Sequence, residues 1–189
     1  MRFSRTETKD LVKAWLAVSL AFTIAFVGFR FDPAALILFA VFAFSAGVGF
    51  LLHELAHKFV AQKYHAWAEF RSDDRMLLMM LVVSALGLIF AAPGAVVIQG
   101  NISHDKHGKV ALAGPAMNIL LTLIFMVLAL TTPLALLAAY GAKINAWLAL
   151  FNLIPFGPLD GAKVLAWNRY AWAGASVAGL AVLFLTFWL

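Results

Sequence analysis

The sequence predicts an all-α polytopic membrane protein with about six transmembrane helices, and its composition and apolar runs support this fold class. Of the 189 residues, 64% are hydrophobic and only 12% are charged, and the mean hydropathy is +0.93. Soluble domains contain about 45–50% apolar and about 25% charged residues, so this chain has too few polar side chains to cover a surface in water. Several apolar runs reach the roughly 20 residues that a helix needs to cross a bilayer. The length fits a single domain over residues 1–189.

Apolar runs separated by polar stretches or turn residues define the predicted elements. Five helices are predicted, at residues 12–30, 34–61, 110–131, 134–162 and 171–189. Residues 76–109 form a further segment, which begins without charge and contains the break Pro93-Gly94. We interpret it as a re-entrant helix followed by a short β-like stretch at 94–101. Irregular backbone at membrane depth has to be buried in protein or line a wet cavity, so this segment is a candidate wall of a site.

The distribution of Lys and Arg predicts the orientation in the membrane. If residues 76–103 enter and leave on one side, the basic N-terminus shares that side with the amphipathic polar stretch 57–75. The same side then carries Lys106, Lys109, Lys163 and Arg169. The positive-inside rule makes this side cytoplasmic, so we expect a multi-pass protein of the cell membrane with a cytoplasmic N-terminus.

The Lys and Arg residues that give the net charge of +5 flank apolar spans, where membrane topology places them. No nucleic-acid partner is therefore predicted. Only Arg30 and Lys143 fall outside the cytoplasmic set. Lys143 either snorkels to the outer face or precedes a helix that starts later than predicted.

The motif HELAH at residues 53–57 places ionisable side chains at the end of the second apolar run. His53 and His57 are four residues apart, so a helix presents both imidazoles on one face, where they can bind one zinc ion. Glu54 occupies the position of the general base in HExxH zinc sites. Each ionisable side chain at membrane depth costs about 2.5–3.5 kcal/mol on insertion scales, a cost that a metal and a wet cavity offset. The motif is predicted near the cytoplasmic boundary, where water can reach it.

A catalytic zinc ion needs a third protein ligand, and the sequence offers few. Cysteine is absent, which excludes thiolate ligands and disulfides. Asp160 lies in the run NLIPFGPLDG, whose prolines and glycines would unwind a helix and let the carboxylate turn toward a neighbour. His104 and His107 are rival ligands in a predicted polar loop, and His65 is expected at the surface of the amphipathic stretch.

Three motifs together resemble the site-2 protease family of intramembrane zinc metalloproteases, peptidase family M50. They are HELAH at 53–57, AGPAMN at 113–118 and NLIPFGPLDG at 152–161. The resemblance implies a three-helix catalytic core and cleavage of transmembrane segments of other proteins within the bilayer. It also implies one zinc ion per chain, with Glu54 activating water and with three ligands, His53, His57 and Asp160.

The same resemblance assigns asparagines to substrate binding. Asn152 begins the third motif, and such asparagines in the family hold the substrate backbone or polarise the scissile carbonyl. Asn118 and Asn145 have the same candidate role, but an interhelical hydrogen bond is an equally good interpretation. Family members carry a membrane-associated β segment at the place of residues 66–109, and an exposed strand there could pair with an unwound substrate.

Two other functions stay open from the sequence. A divalent-metal transporter of the ZIP type also places an HExxH motif in a membrane helix, but it has more helices and more ligands along a path. A catalytically silent scaffold is the third hypothesis, and the presence of Glu54 beside all predicted ligands argues against it. The predicted partners are a transmembrane protein substrate and the lipid bilayer, and no oligomeric state is predicted.

Overall fold

The structure, a computed structural model, describes residues 2–30, 32–89, 93–100 and 102–189. Within these ranges the chain is mostly helical and contains one two-stranded sheet. The α-helices are α1 (Arg5–Val27), α2 (Pro33–Phe42), α3 (Val48–Lys63), α4 (Asp74–Ser84), α5 (His104–Thr131), α6 (Ala135–Asn152), α7 (Asp160–Trp167) and α8 (Arg169–Leu185). The strands are β1 (Trp67–Ser72) and β2 (Gly94–Gln99), and a 3-10 turn (Thr186–Trp188) follows α8.

Four helices within the described ranges are long and apolar enough to cross a membrane, judged by length and composition. They are α1, the continuous helix Pro33–Lys63, α5, and the last helix with its 3-10 turn, Arg169–Trp188. The predicted number of about six is therefore not confirmed. α6 has 18 residues and begins at Ala135, so Lys143 lies inside it and the alternative of a later helix start is wrong.

A π-helical segment, Ala43–Gly47, joins α2 to α3 and makes them one helix. Such a segment leaves carbonyl groups without their usual helical partners. The indole N–H of Trp15 on α1 donates to the carbonyl of Ala43 at 2.9 Å. Gly47 permits this close contact, because a Cβ there would overlap the Trp15 side chain. The helix that carries HELAH is thus held against α1.

β1 and β2 pair in antiparallel register over all six residues of each strand. β2 lies in the segment predicted as β-like, of which Asn101 falls outside the described residues. The all-α prediction is wrong for residues 67–72, which the sequence analysis places in a polar stretch. There the buried Ala68 and Phe70 alternate with more polar positions, which is the period of a strand buried on one face.

The segment predicted as 76–109 divides between α4, β2 and the start of α5. α5 begins at His104 rather than at residue 110, because the side chain of Ser103 caps the helix there. His104 and His107 therefore lie on a helix, and their prediction as loop residues is wrong. Residues 90–92 of the predicted re-entrant arm lie outside the described part of the chain.

The helix predicted at 134–162 is interrupted by a turn. α6 ends at Asn152 and α7 begins at Asp160, with the run LIPFGPL between them. Gly161 packs so closely against the backbone of Leu153 that a Cβ would overlap it. This contact draws the start of α7 back onto the end of α6, as the prolines and glycines of the run lead one to expect.

α5 lies at the centre of the bundle and packs along α6 and α3, while α7 contacts its first half through Trp167, which packs against Gly108. The sheet and α1 also contact α3, and β2 approaches the first half of α5, where Val110 packs with Ala68 of β1. A buried apolar cluster joins α1, α3, α6 and the sheet, and it includes Phe22, Phe42, Phe50, Phe70 and Leu148. This packing leaves α3, α5 and α7 facing one another around a polar space.

Candidate metal centre

Two histidines of α3 and one aspartate of α7 meet between α3, α5 and α7. His53 and His57 are one helical turn apart, and their Nε2 atoms lie 3.0 Å from each other. Oδ2 of Asp160 lies 3.2 Å from Nε2 of His53 and 3.0 Å from Nε2 of His57. All three side chains are buried. The structure therefore brings together the three residues that the sequence analysis names as ligands.

A hydrogen bond on the other ring nitrogen orients each imidazole. Nδ1 of His53 donates to Oδ1 of Asn118 at 2.6 Å, and Nδ1 of His57 donates to the carbonyl of Val110 at 2.7 Å. Because both partners are acceptors, the proton of each neutral ring is on Nδ1. The lone pair of each Nε2 is then free to bind a metal ion, as in metal-binding histidines generally.

The side chain of Asn118 is itself fixed by α3 and α6. Its Nδ2 donates to Oδ1 of Asn145 at 2.9 Å and to the carbonyl of Gly49 at 3.2 Å. Nδ2 of Asn145 donates to the carbonyl of Gly141 at 2.9 Å. Asn118 and Asn145 are fully buried. In this structure they make the interhelical hydrogen bonds that were one of the two interpretations of these residues.

Gly114 of α5 faces the imidazoles of His53 and His57. A Cβ at this position would overlap both rings. A glycine inside a helix costs roughly 0.5–1 kcal/mol relative to alanine, so its place here has a packing reason. It lets α5 come close enough for Asn118 and Val110 to reach the ring nitrogens.

The second carboxylate oxygen of Asp160 has a partner of its own. Nζ of Lys163 lies 3.2 Å from Oδ1, and the Lys163 side chain is 42% exposed. This contact directs Oδ2 toward the two histidines. The ion pair spans one turn of α7, the spacing at which helical side chains meet.

Glu54 lies beside His53, at the edge of a cavity of about 240 Å³. Its carboxylate is buried, and Oε2 has no hydrogen-bond partner among the described residues. A buried carboxylate oxygen without a partner is costly, so its presence points to a further group that it serves. The cavity is also lined by His107, Asn152 and four residues of β2, Gly94, Ala95, Val96 and Ile98.

The donor set fits a zinc ion. Two imidazole nitrogens and a carboxylate oxygen lie within 4.8 Å of one another. Zinc in catalytic sites is bound by three such protein ligands and keeps an open position for water or substrate. Two further observations fit a catalytic zinc ion. Both Nδ1 atoms are hydrogen-bonded, and Oε2 of Glu54 lies in the same cavity without a partner in the described ranges.

The remaining predicted residues lie around the centre. Asn152 lines the cavity, and its Nδ2 donates to the carbonyl of Leu148 at 3.0 Å. His107 also lines it, but neither His107 nor His104 belongs to the ligand cluster found in the described residues. His65 is exposed and has a positive φ of 62° in the turn after α3.

Two groups that hold the ligands in place were not predicted from the sequence. Val110 acts through its backbone carbonyl, and no side-chain pattern could have indicated that role. Lys163 could have been found, because it follows Asp160 by three residues and therefore shares its helix face.

Comparison with known proteins supports a metalloprotease. No protein-family model and no solved structure matches the chain. The chain is 38% identical over 195 residues to "Putative zinc metalloprotease MJ0611" of Methanocaldococcus jannaschii, covering 99% of this chain and 98% of that protein. It is 33% identical over 148 residues to "Putative zinc metalloprotease Rip3" of Mycobacterium tuberculosis, covering 70% of this chain and 34% of that protein.

A further relative, "Zinc metalloprotease MJ0392" of Methanocaldococcus jannaschii, is 26% identical over 122 residues. The alignment with MJ0611 extends over nearly the full length of both chains and so includes the helices that form the metal centre. The chain belongs to the family of zinc metalloproteases that includes MJ0611.

Proposed function

We propose that this protein is an intramembrane zinc endopeptidase of the site-2 protease type, which hydrolyses peptide bonds within transmembrane segments of other membrane proteins. The observation that carries the proposal is the buried cluster of His53, His57 and Asp160 beside Glu54, whose buried Oε2 has no hydrogen-bond partner among the described residues. The cluster lies in a bundle that contains four helices of membrane-spanning length in the part of the chain that the structure describes. The names of the relatives support zinc and peptide hydrolysis.

One zinc ion per chain would be held by the Nε2 atoms of His53 and His57 and by a carboxylate oxygen of Asp160. When bound, zinc acidifies a water molecule and polarises a peptide carbonyl. The chain itself holds the donors in place through Asn118, Val110 and Lys163.

Glu54 is the proposed general base and general acid. Its carboxylate takes a proton from the attacking water and gives it to the amine nitrogen as the peptide C–N bond breaks. Oε2 is available for this because it has no competing partner in the described residues. Asn152 has a second amide N–H besides the one bonded to Leu148, and it can donate this to a substrate carbonyl in the cavity.

β2 supplies a surface that can bind the substrate backbone. In two antiparallel strands, the backbone N–H and C=O groups of two opposite residues either bond to each other or all point away from the partner strand. Phe70 of β1 donates its N–H to Glu7, so Phe70 and its partner Val96 form a pair of the second kind. The N–H and C=O of Val96 then point away from β1, at a strand edge that lines the cavity. A substrate helix that unwinds frees backbone groups that this edge can accept by strand addition.

Replacing Val96 with proline removes the N–H at this edge. Proline is tolerated on edge strands, and no bond to β1 is lost. We expect a KM about 3- to 10-fold higher, the loss of roughly one hydrogen bond, with zinc content unchanged. Steady-state cleavage of a membrane-embedded substrate measures this. Val96→Ala keeps the N–H and is the matched control; equal KM values for the two variants would remove β2 from the substrate site.

We further propose that the protein lies in the cell membrane with its N-terminus and metal centre on the cytoplasmic side. The support is the charge distribution of the sequence. Most Lys and Arg residues fall on one side if residues 76–103 do not cross the membrane. The bilayer is then both the solvent of the bundle and the source of its substrates.

Reconstitution tests the proposed function directly. The purified protein in liposomes is offered a library of labelled single-span transmembrane segments. We expect cleavage within the spans, its loss after treatment with a zinc chelator, and recovery after zinc is restored. Zinc influx into the same liposomes without cleavage would instead favour a transporter.

A further inference from the structure

A buried ion pair connects the first helix to the helix of the metal centre. Lys58 directly follows the ligand His57 on α3, and Glu7 lies in the first turn of α1. Nζ of Lys58 donates to a carboxylate oxygen of Glu7, and both side chains are 0% exposed. Nζ also donates to the carbonyl of Arg2 at 2.7 Å and lies 4.1 Å from the ring centre of Phe3. Arg2 and Phe3 thus cover the ammonium group of Lys58.

The second oxygen of Glu7 reaches the sheet. Oε1 of Glu7 accepts a hydrogen bond from the N–H of Phe70 at 3.0 Å. The ring of Phe70 packs edge-to-face on Phe50 of α3, with centroids 5.7 Å apart. One carboxylate therefore joins three elements: α1, which carries it, α3 through Lys58, and β1 through a backbone group.

Neighbouring side chains of α1 extend this contact along β1. Ser4 caps the start of α1, and Asp10 lies three residues after Glu7, on the same helix face. The hydroxyl of Ser4 donates to Glu69 at 3.0 Å, and the hydroxyl of Ser72 donates to Asp10 at 3.0 Å. α1 thereby covers the outer edge of β1, which leaves β2 as the open edge of the two-stranded sheet.

The ion pair does not belong to the reacting site. None of the α1 residues lines the cavity, and Lys58 is not among its lining residues either. A buried ion pair is also an expensive way to hold helices together, since apolar side chains of similar size often stabilise a fold equally well. Unlike apolar side chains, each charged group here bonds specific atoms on two other segments. These bonds fix the position of the bonded segments relative to His57.

We propose that Glu7 and Lys58 are positioning residues that hold the β1–β2 sheet against the catalytic helix and so set the place of the open β2 edge relative to the metal centre. The inference rests on the proposed function, since it is the substrate that would be held at this edge. Through this ion pair, α1 contributes to substrate binding without contacting the substrate.

The test uses the double variant Glu7→Gln/Lys58→Met in the full chain. Each single variant leaves one buried charge without its partner and could fail to fold, whereas the double variant removes both charges and keeps the side-chain lengths. We expect amide hydrogen exchange of β1 and β2 to become about 10-fold faster, while α5 and α6 keep their protection. The KM should rise about 5-fold, with kcat within about 2-fold of the wild type. Zinc affinity should be unchanged.

Unchanged exchange in the sheet together with an unchanged KM would overturn the proposal. Faster exchange throughout the bundle with weaker zinc binding would also overturn it, because the pair would then stabilise the whole fold. Lys109→Met is the matched control, since it removes an exposed ion pair with Asp105 on α5 and should leave all readings at wild-type values. Hydrogen exchange and zinc affinity do not depend on proteolysis. They therefore test whether the ion pair holds the sheet against α3 even if no substrate is cleaved.

Discussion

Replacing Glu54 with glutamine is expected to abolish peptide hydrolysis while zinc stays bound. The change removes the group that takes the proton from water but leaves His53, His57 and Asp160 in place. A positioned general base contributes typically 10²- to 10⁴-fold to rate, so kcat should fall by about that factor. Because the cluster of ligands does not include Glu54, the zinc content should remain at one ion per chain.

The measurement pairs elemental analysis of the purified variant with cleavage of a membrane-embedded substrate. Asp74→Asn makes the same chemical change at an exposed carboxylate on α4 and should behave as the wild type. Normal cleavage by Glu54→Gln would show that another group takes the proton. Loss of zinc from this variant would instead place Glu54 among the ligands.

The sequence predicts most of the helices because lipid leaves the backbone few alternatives. In apolar runs such as 34–61 and 110–131, every backbone group has to find its partner within the same segment, so composition alone indicates a helix. β1 lacks this local signal. Residues 67–72 become a strand because they pair with β2, and α1 covers the other edge with Ser4, Glu7 and Asp10. The alternation of Ala68 and Phe70 with more polar residues fits a strand, but a stretch of six residues does not indicate which distant segments will pair with it or cover its edge.

The same distinction applies to the metal centre. His53 and His57 are predictable because a four-residue spacing fixes two side chains on one helix face. Asp160 is predictable because the prolines and glycines before it interrupt the helix. The group that holds His57, the carbonyl of Val110, is a backbone atom on a helix that packs nearby, 53 positions along the chain. Its role follows only from how α5 lies against α3, which the approach of Gly114 to the imidazoles makes possible.

Replacing Asp160 with asparagine is expected to weaken zinc binding more than any other single change of a carboxylate. The variant loses the anionic oxygen that lies 3.0 Å from Nε2 of His57 and 3.2 Å from Nε2 of His53. It also leaves the ammonium group of Lys163 without its partner. Changes to groups that merely orient a ligand cost about 10- to 100-fold in metal affinity, so loss of a ligand should cost more than about 100-fold.

Competition with a chromophoric zinc chelator measures the affinities and ranks the variants. Asn118→Ala removes the acceptor that orients His53, so it should fall within the range of about 10- to 100-fold and serves as the comparison. At high zinc concentration Asp160→Asn should regain part of its activity, whereas Glu54→Gln should regain none, because the first variant lacks metal and the second lacks a base. Full zinc occupancy of Asp160→Asn at limiting metal would show that the carboxylate of α7 is not a ligand, and the proposed enzyme would then lack its metal centre.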